Sequence, residues 1–163
     1  MAVKEILLLG NPLLYKKCEE VDFTELSQLE SHITDLHDTL INFRNRNHYG
    51  RAIAAPQIGL MKRLVYMYID IPFVFINPTL EFKSDETFDV WDDCMSFPNL
   101  LVKVKRFKNC RIQYRDTNWD NQTMLLEGDL SELLQHEFDH LDGILAVQRA
   151  IDKYSFAIKG QAN

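Results

Sequence analysis

Nowhere do the 163 residues run apolar for the ~20 positions that a membrane-crossing helix needs. The stretch MAVKEILLLGNPLL sets Lys4 and Glu5 before a short apolar run that Pro12 ends. It has no small-residue cleavage site, so it is not expected to be a signal peptide. Positive charge is also short, with 18 Lys and Arg against 24 Asp and Glu, a formal net charge of −6. A DNA partner would call for a basic face, so none is expected. The one cluster of cations is Lys103, Lys105, Arg106, Lys108 and Arg111, and it reads as a solvated strand face. Glycine and proline number only six and five, which excludes collagen-like and low-complexity chains. The three cysteines, Cys18, Cys94 and Cys110, cannot all pair with one another, and the expected compartment is a reducing cytoplasm.

What remains is ordinary globular composition, 46% hydrophobic and 26% charged, in a length that suits one domain over residues 1–163. Leu26, Leu29, Ile33, Leu36, Leu40 and Phe43 recur at spacings of three and four, which predicts an amphipathic helix over 24–44 with Thr24 as N-cap. His32 and His37 fall off that stripe and are expected to be exposed. YGRAIAAPQIGL follows neither period and reads as a loop passing close to something. RLVYMYI and FVFINP read as strands joined by a turn at Ile69–Pro72. LLVKVKRF and CRIQYRD alternate as half-buried strands, and NWDNQTMLLEG reads as a turn and a further strand. A second helix is predicted from Asp129, with Asp129 as N-cap and Glu132 completing a capping box. The tail from Asp152 is expected to add a short helix. Helix, antiparallel strands, helix is an α+β order.

The second helix carries the chemistry. In LLQHEFDHLDGIL, His136 and His140 stand four apart and share one helix face, so both imidazoles can reach one ion. Glu137 sits roughly 100° round the helix. It can stand beside the ion without ligating it, where a general base for water belongs. The plain alternative is a solvated helix with two surface histidines. Leu133, Leu134, Phe138 and Leu141 speak against it, because histidines among apolar residues need partners. A catalytic site takes three protein ligands and an open position. The longer protease pattern H-E-x-x-H-x-x-G-x-x-H has its glycine here, Gly143, but Ala146 occupies the third-ligand position. Downstream of His140 there is no Glu, His or Cys, and Asp142 is too close to swing onto the same face. The third ligand is therefore sought upstream among Cys94, Asp92, Asp93, His48, Cys18 and Cys110. Cys94 in VWDDCMSFP has the most suggestive context, while Cys110 reads as a small core residue.

Three stretches in order resemble the peptide deformylases. GRAIAAPQ, Gly50 to Gln57, is similar to the family's G-φ-G-φ-A-A-x-Q; DDCMS, Asp92 to Ser96, to E-G-C-L-S; and QHEFDHLDG, Gln135 to Gly143, to Q-H-E-x-D-H-L-x-G. The resemblance implies small antiparallel sheets packed around the central helix that carries the two histidines. It implies Cys94, His136 and His140 as metal ligands, Glu137 as general acid and base, and Gln57 with the backbone N–H of Met95 as oxyanion donors. The ion would be Fe²⁺, with Ni²⁺, Co²⁺ or Zn²⁺ accepted. The activity implied is hydrolysis of the formyl group from N-formyl-methionyl peptides or nascent proteins, with transient contact to the ribosome. Departures fall on the groove. Ala52 replaces the second glycine, Asp92-Asp93 replaces Glu-Gly, Leu101 stands where many members have Arg, and Tyr49 stands where an acid is common. Gly50, Ala52, Asp93, Leu101 and Phe138 are the expected groove residues, with Phe138 and neighbouring aliphatics as walls for a methionine side chain. The departures keep open an amidase acting on another small N-formyl or N-acyl substrate, and a catalytically impaired metal-binding homologue.

Overall fold

The apolar stripe becomes α1 (Leu26–Asn47), which buries Leu29, Leu36, Leu40 and Phe43 and packs Leu26 and Ile33 at the margin. A computed structural model describes residues 2–82 and 84–162. Thr24 is not the N-cap. It lies in a 3-10 turn, Phe23–Glu25, whose cap is Asp22. The Asp22 carboxylate accepts the Thr24 N–H at 2.9 Å, and Glu25 accepts the Asp22 N–H at 2.8 Å. His48, with φ of 64°, ends the helix. His32 and His37 are half-buried rather than exposed, and Nδ1 of His37 lies 2.7 Å from the Tyr66 hydroxyl.

Five strands form one antiparallel sheet in the order β1 (Ala52–Ala54), β2 (Leu64–Tyr68), β3 (Pro72–Phe82), β6 (Asn109–Arg115) and β7 (Asn121–Glu127). A second sheet holds β4 (Thr87–Asp92), β5 (Leu100–Phe107) and β8 (Phe156–Ile158). Both β1 and β4 were hidden from periodicity. Only three residues make β1, two of them alanines, and it is a strand by virtue of pairing with β2. β4 pairs with β5 along its whole length, from Thr87–Phe107 to Asp92–Val102. The expected C-terminal helix is absent among the described residues. Asp152 instead accepts from the Tyr154 N–H and the Ser155 hydroxyl, which turns the chain so that Phe156 to Ile158 complete the free edge of β5.

α2 (Asp129–Leu141) lies between the sheets, its apolar side on the core made by Val65, Phe75, Ile112 and Leu126. Its cap is Gly128, and Asp129 is its first residue. The capping box does not form, because both Asp129 and Glu132 turn to Arg51. On β5 the inward alternation Val102, Val104 continues to Arg106, which is 3% exposed. That cation was expected in solvent. It is buried because two carboxylates meet it, Asp92 at 2.8 Å and Asp139 at 2.7 Å.

The N-terminal segment is bonded to three parts of this frame. Leu7 N–H donates to Gln57 O, Leu9 N–H to Ser96 O and Cys18 N–H to Leu141 O, each at 2.8 Å. Gly143 closes the same contact after α2. Its φ is +72°, and a Cβ there would stand 2.6 Å from the carbonyl carbon and oxygen of Tyr15. Backbone atoms cannot step aside as a flexible side chain can. Gly143→Ala is therefore expected to cost about 2 kcal/mol or more of stability, since left-handed strain and overpacking add. Urea unfolding checks this, and an unchanged midpoint would refute the close approach.

Candidate metal centre and its cavity

The two histidines of α2 face the turn that follows β4. Cys94 stands two residues past the end of that strand, and its carbonyl accepts the Phe97 N–H to close the turn. Cys94 Sγ, His136 Nε2 and His140 Nε2 all lie within 4.8 Å of one another. Sγ is 3.4 Å from His140 Nε2, and the two Nε2 atoms are 3.2 Å apart. All three residues are buried. Of the six upstream candidates for a third ligand, Cys94 is the one that converges on the histidines. Cys18 and Cys110 are buried elsewhere, and burial pushes the Cys18 thiol up to about 11.

The donor set fits a cation. Two imidazole nitrogens and a sulfur point at a common centre, and lone pairs this close repel unless a positive charge lies between them. Asp92 holds Nδ1 of His136 at 2.9 Å, so that nitrogen keeps its proton for the carboxylate and Nε2 offers its lone pair inward. Burial disfavours a charged His136, yet Asp92 and Cys94 outweigh it and raise the imidazole well above its ordinary value. Burial alone would push the Asp92 carboxyl up, but His136 and Arg106 hold it down at about 2. Arg106 in turn bonds Asp139, whose other partner is Arg149. Asp92, a ligand candidate from its sequence position, instead bonds the far side of His136. The signals for this were its position two before Cys94 and Arg106 in the alternation Val102-Val104-Arg106.

Beside the cluster lies a cavity of about 420 Å³. Glu137 lines it, 4% exposed, with Oε2 bonded to nothing among the described residues. Burial raises its carboxyl to about 7, with His136 pulling the other way. Gln57 follows β1 in a 3-10 turn, Ala55–Ile58, and is fully buried. Its Oε1 accepts the Ala54 N–H at 2.9 Å, which turns Nε2 towards the Ser96 hydroxyl at 3.2 Å and Cys94 Sγ at 3.6 Å. Met95 also lines the cavity, where its sulfur packs over Gly50, a glycine with φ of 114°. Ala52 and Asp93 join the lining, as expected. The Asp93 side chain is 47% exposed at the mouth, with Lys159 at 3.8 Å. Partial burial raises its carboxyl, and Lys159 draws it back.

Two expected groove residues are not in the cavity lining. Phe138 turns to the other side of α2, where the Arg63 guanidinium lies 5.3 Å from its ring centre. Leu101 pairs with Ala157 of β8. In the case of Phe138 helix geometry is the reason. Two residues past His136 a side chain has rotated by roughly 200°. The lining that sequence reasoning missed is partly apolar, with Tyr68, Ile69 and Leu133, and partly ionic. Arg51, Glu132 and Arg44 all border the cavity, with His48 beside them.

An α+β frame that presents Cys, His and His to one point beside a buried carboxylate is a protein built to hold a metal ion. Residues 3–155 match the family model described as polypeptide deformylase. Peptide deformylase 1 of Prochlorococcus marinus is 39% identical over 175 aligned positions, covering 99% of this chain and 88% of that protein. The peptide deformylase of Thermotoga maritima superposes with a TM-score of 0.85 at 29% identity, over 93% of this chain and all of that one. A peptide deformylase from Synechococcus elongatus in complex with actinonin gives 0.84 at 28% identity, over 92% and 80% of the two chains. The chain belongs to the polypeptide deformylase family. None of its described helices is long and apolar enough to cross a membrane.

Proposed function

We propose that residues 1–163 act as one catalytic unit that hydrolyses the formyl group from the N-terminus of peptides, formyl-methionyl ends included. Formate and a free amine are the products. The observation that carries this reading is the convergence of Cys94, His136 and His140 beside the Glu137 carboxyl, whose Oε2 has no partner among the described residues. These three residues would hold one divalent ion, Fe²⁺ by family resemblance, with Ni²⁺, Co²⁺ or Zn²⁺ able to substitute. When bound, the ion supplies a Lewis acid that polarises the formyl carbonyl and lowers the pKa of water towards 7. Asp92 and Arg106 hold His136 in the tautomer that leaves Nε2 free. Glu137 takes a proton from the attacking water and passes it to the amine nitrogen as the C–N bond breaks. Gln57 Nε2 and the backbone N–H of Met95 would donate to the developing oxyanion. The cysteine ligand makes an iron-loaded site prone to oxidation.

Two readouts test this together. Protein loaded with Fe²⁺ or Ni²⁺ under anaerobic conditions is expected to release formate from formyl-Met-Ala-Ser. Metal-free protein treated with iodoacetamide at pH 8 is expected to be alkylated at Cys94 and spared at Cys18, whose thiol stays protonated there. Added metal should protect Cys94. Absence of formate would sink the activity, and alkylation of Cys94 that metal leaves unchanged would sink the ligand set.

A further inference from the structure

A methionine side chain would be expected to lie in an apolar pocket next to the reacting bond. The cavity beside Cys94 and His136 offers Tyr68, Ile69, Met95 and Leu133, but it also carries an ion pair in its wall. Glu132 precedes His136 by four residues and shares its face of α2, just over one turn or about 6 Å along the axis. The guanidinium of Arg51, on the chain entering β1, bridges Glu132 at 3.2 Å and Asp129. The Glu132 side chain is 10% exposed and that of Arg51 36%, so the pair forms part of the cavity wall and is not a surface decoration.

Resting on the deformylase reading, we propose that Arg51 and Glu132 make the first-residue pocket a polar one, which admits a neutral hydrogen-bonding side chain such as a carboxamide alongside methionine. The distances carry this. With the formyl carbon held at the Cys94–His136–His140 cluster, the scissile nitrogen stands beside Glu137 and the first Cα is one bond further on. A side chain of glutamine or methionine length starting there spans about one helical turn. That is the separation from His136 to Glu132.

The chemistry selects the kind of side chain. An apolar group laid on the ion pair removes its water and returns no hydrogen bond, so the usual gain from burying a thioether is offset. A carboxamide has one acceptor for Arg51 and two donors for Glu132. A full charge would have to break the existing pair to find its own partner. Methionine is still accommodated, since Leu133 and Met95 line the same cavity and can take its methylenes. Selectivity between the two is thereby flattened.

The test compares formyl-Met-Ala-Ser with formyl-Gln-Ala-Ser on the full nickel-loaded chain, and measures binding of the two deformylated tripeptides by calorimetry. The wild type is expected to favour Met over Gln by less than tenfold in kcat/KM and in Kd. The Arg51→Leu/Glu132→Leu variant is expected to raise that preference at least tenfold. Arg51→Gln, which keeps a polar wall and disturbs the fold less, should leave it low. A wild-type preference for Met of tenfold or more would overturn the proposal, as would a ratio that the double variant leaves unchanged. Hydrolysis of neither peptide would remove the deformylase reading itself, and equal binding of both products would then still describe the pocket.

Discussion

Replacement of Glu137 by glutamine is expected to lower kcat for formate release by about 10²–10⁴, the range lost when a positioned acid–base group is removed. Glutamine keeps the shape and has no basic oxygen. Metal content, measured by atomic absorption, should stay at the wild-type level, because Glu137 is not among the three converging ligand groups. The environment of the carboxylate is the reason for so large an effect. Oε2 has no partner among the described residues, and burial raises the acid to about 7. A carboxylate kept unpaired and moderately basic is suited to accepting and returning a proton near neutral pH, and unsuited to stabilising a fold. Activity within tenfold of wild type would show that the proton travels elsewhere.

The second large effect is expected at Arg106. Arg106→Met fills similar space and leaves Asp92 and Asp139 buried without the cation between them. Loss of one partner from a buried ionic network costs about 3–5 kcal/mol. The acid limb should move as well. In the wild type Asp92 has a folded pKa of about 2, below its ordinary 3.8. Its contribution to stability is therefore complete above the ordinary value and is lost as pH falls from there to about 2. Without Arg106 the folded pKa rises, the difference from the unfolded chain shrinks, and that contribution is smaller at every pH above it. Urea melts at pH 7 and circular dichroism between pH 2 and 6 measure both effects. A variant as stable as wild type at pH 7 would mean that His136 and Arg149 alone neutralise the two aspartates.

How much of this could be read from the chain depended on the range of the signal. The α1 stripe and β5 were legible because periodicity is local, and β5 was read over its observed span. The pair of histidines was legible for the same reason, since a four-residue spacing on a helix brings two side chains together without help from the rest of the fold. Cys94 was one candidate among six until the family resemblance singled it out, because the turn after β4 meets α2 only through tertiary packing. β1 and β8 were illegible, as three-residue strands exist only by pairing with a neighbour. The capping box at Asp129 failed through competition, with Arg51, 78 positions away, taking the carboxylate. Arg106 and the Arg51–Glu132 pair were misread or missed alike, since charge in a sequence is read as surface until a fold supplies its counter-charge.

The three backbone bonds made by Leu7, Leu9 and Cys18 have a consequence for the order of events during synthesis. They join a segment made early to the carbonyls of Gln57, Ser96 and Leu141, which belong to the three stretches that carry the centre. The last of these ends α2, so the strap cannot close fully until α2 has been translated. Leu7 and Leu9 can pair once Gln57 and Ser96 have been made, whereas Cys18 waits for Leu141, so the centre acquires its histidines and its last fastening together.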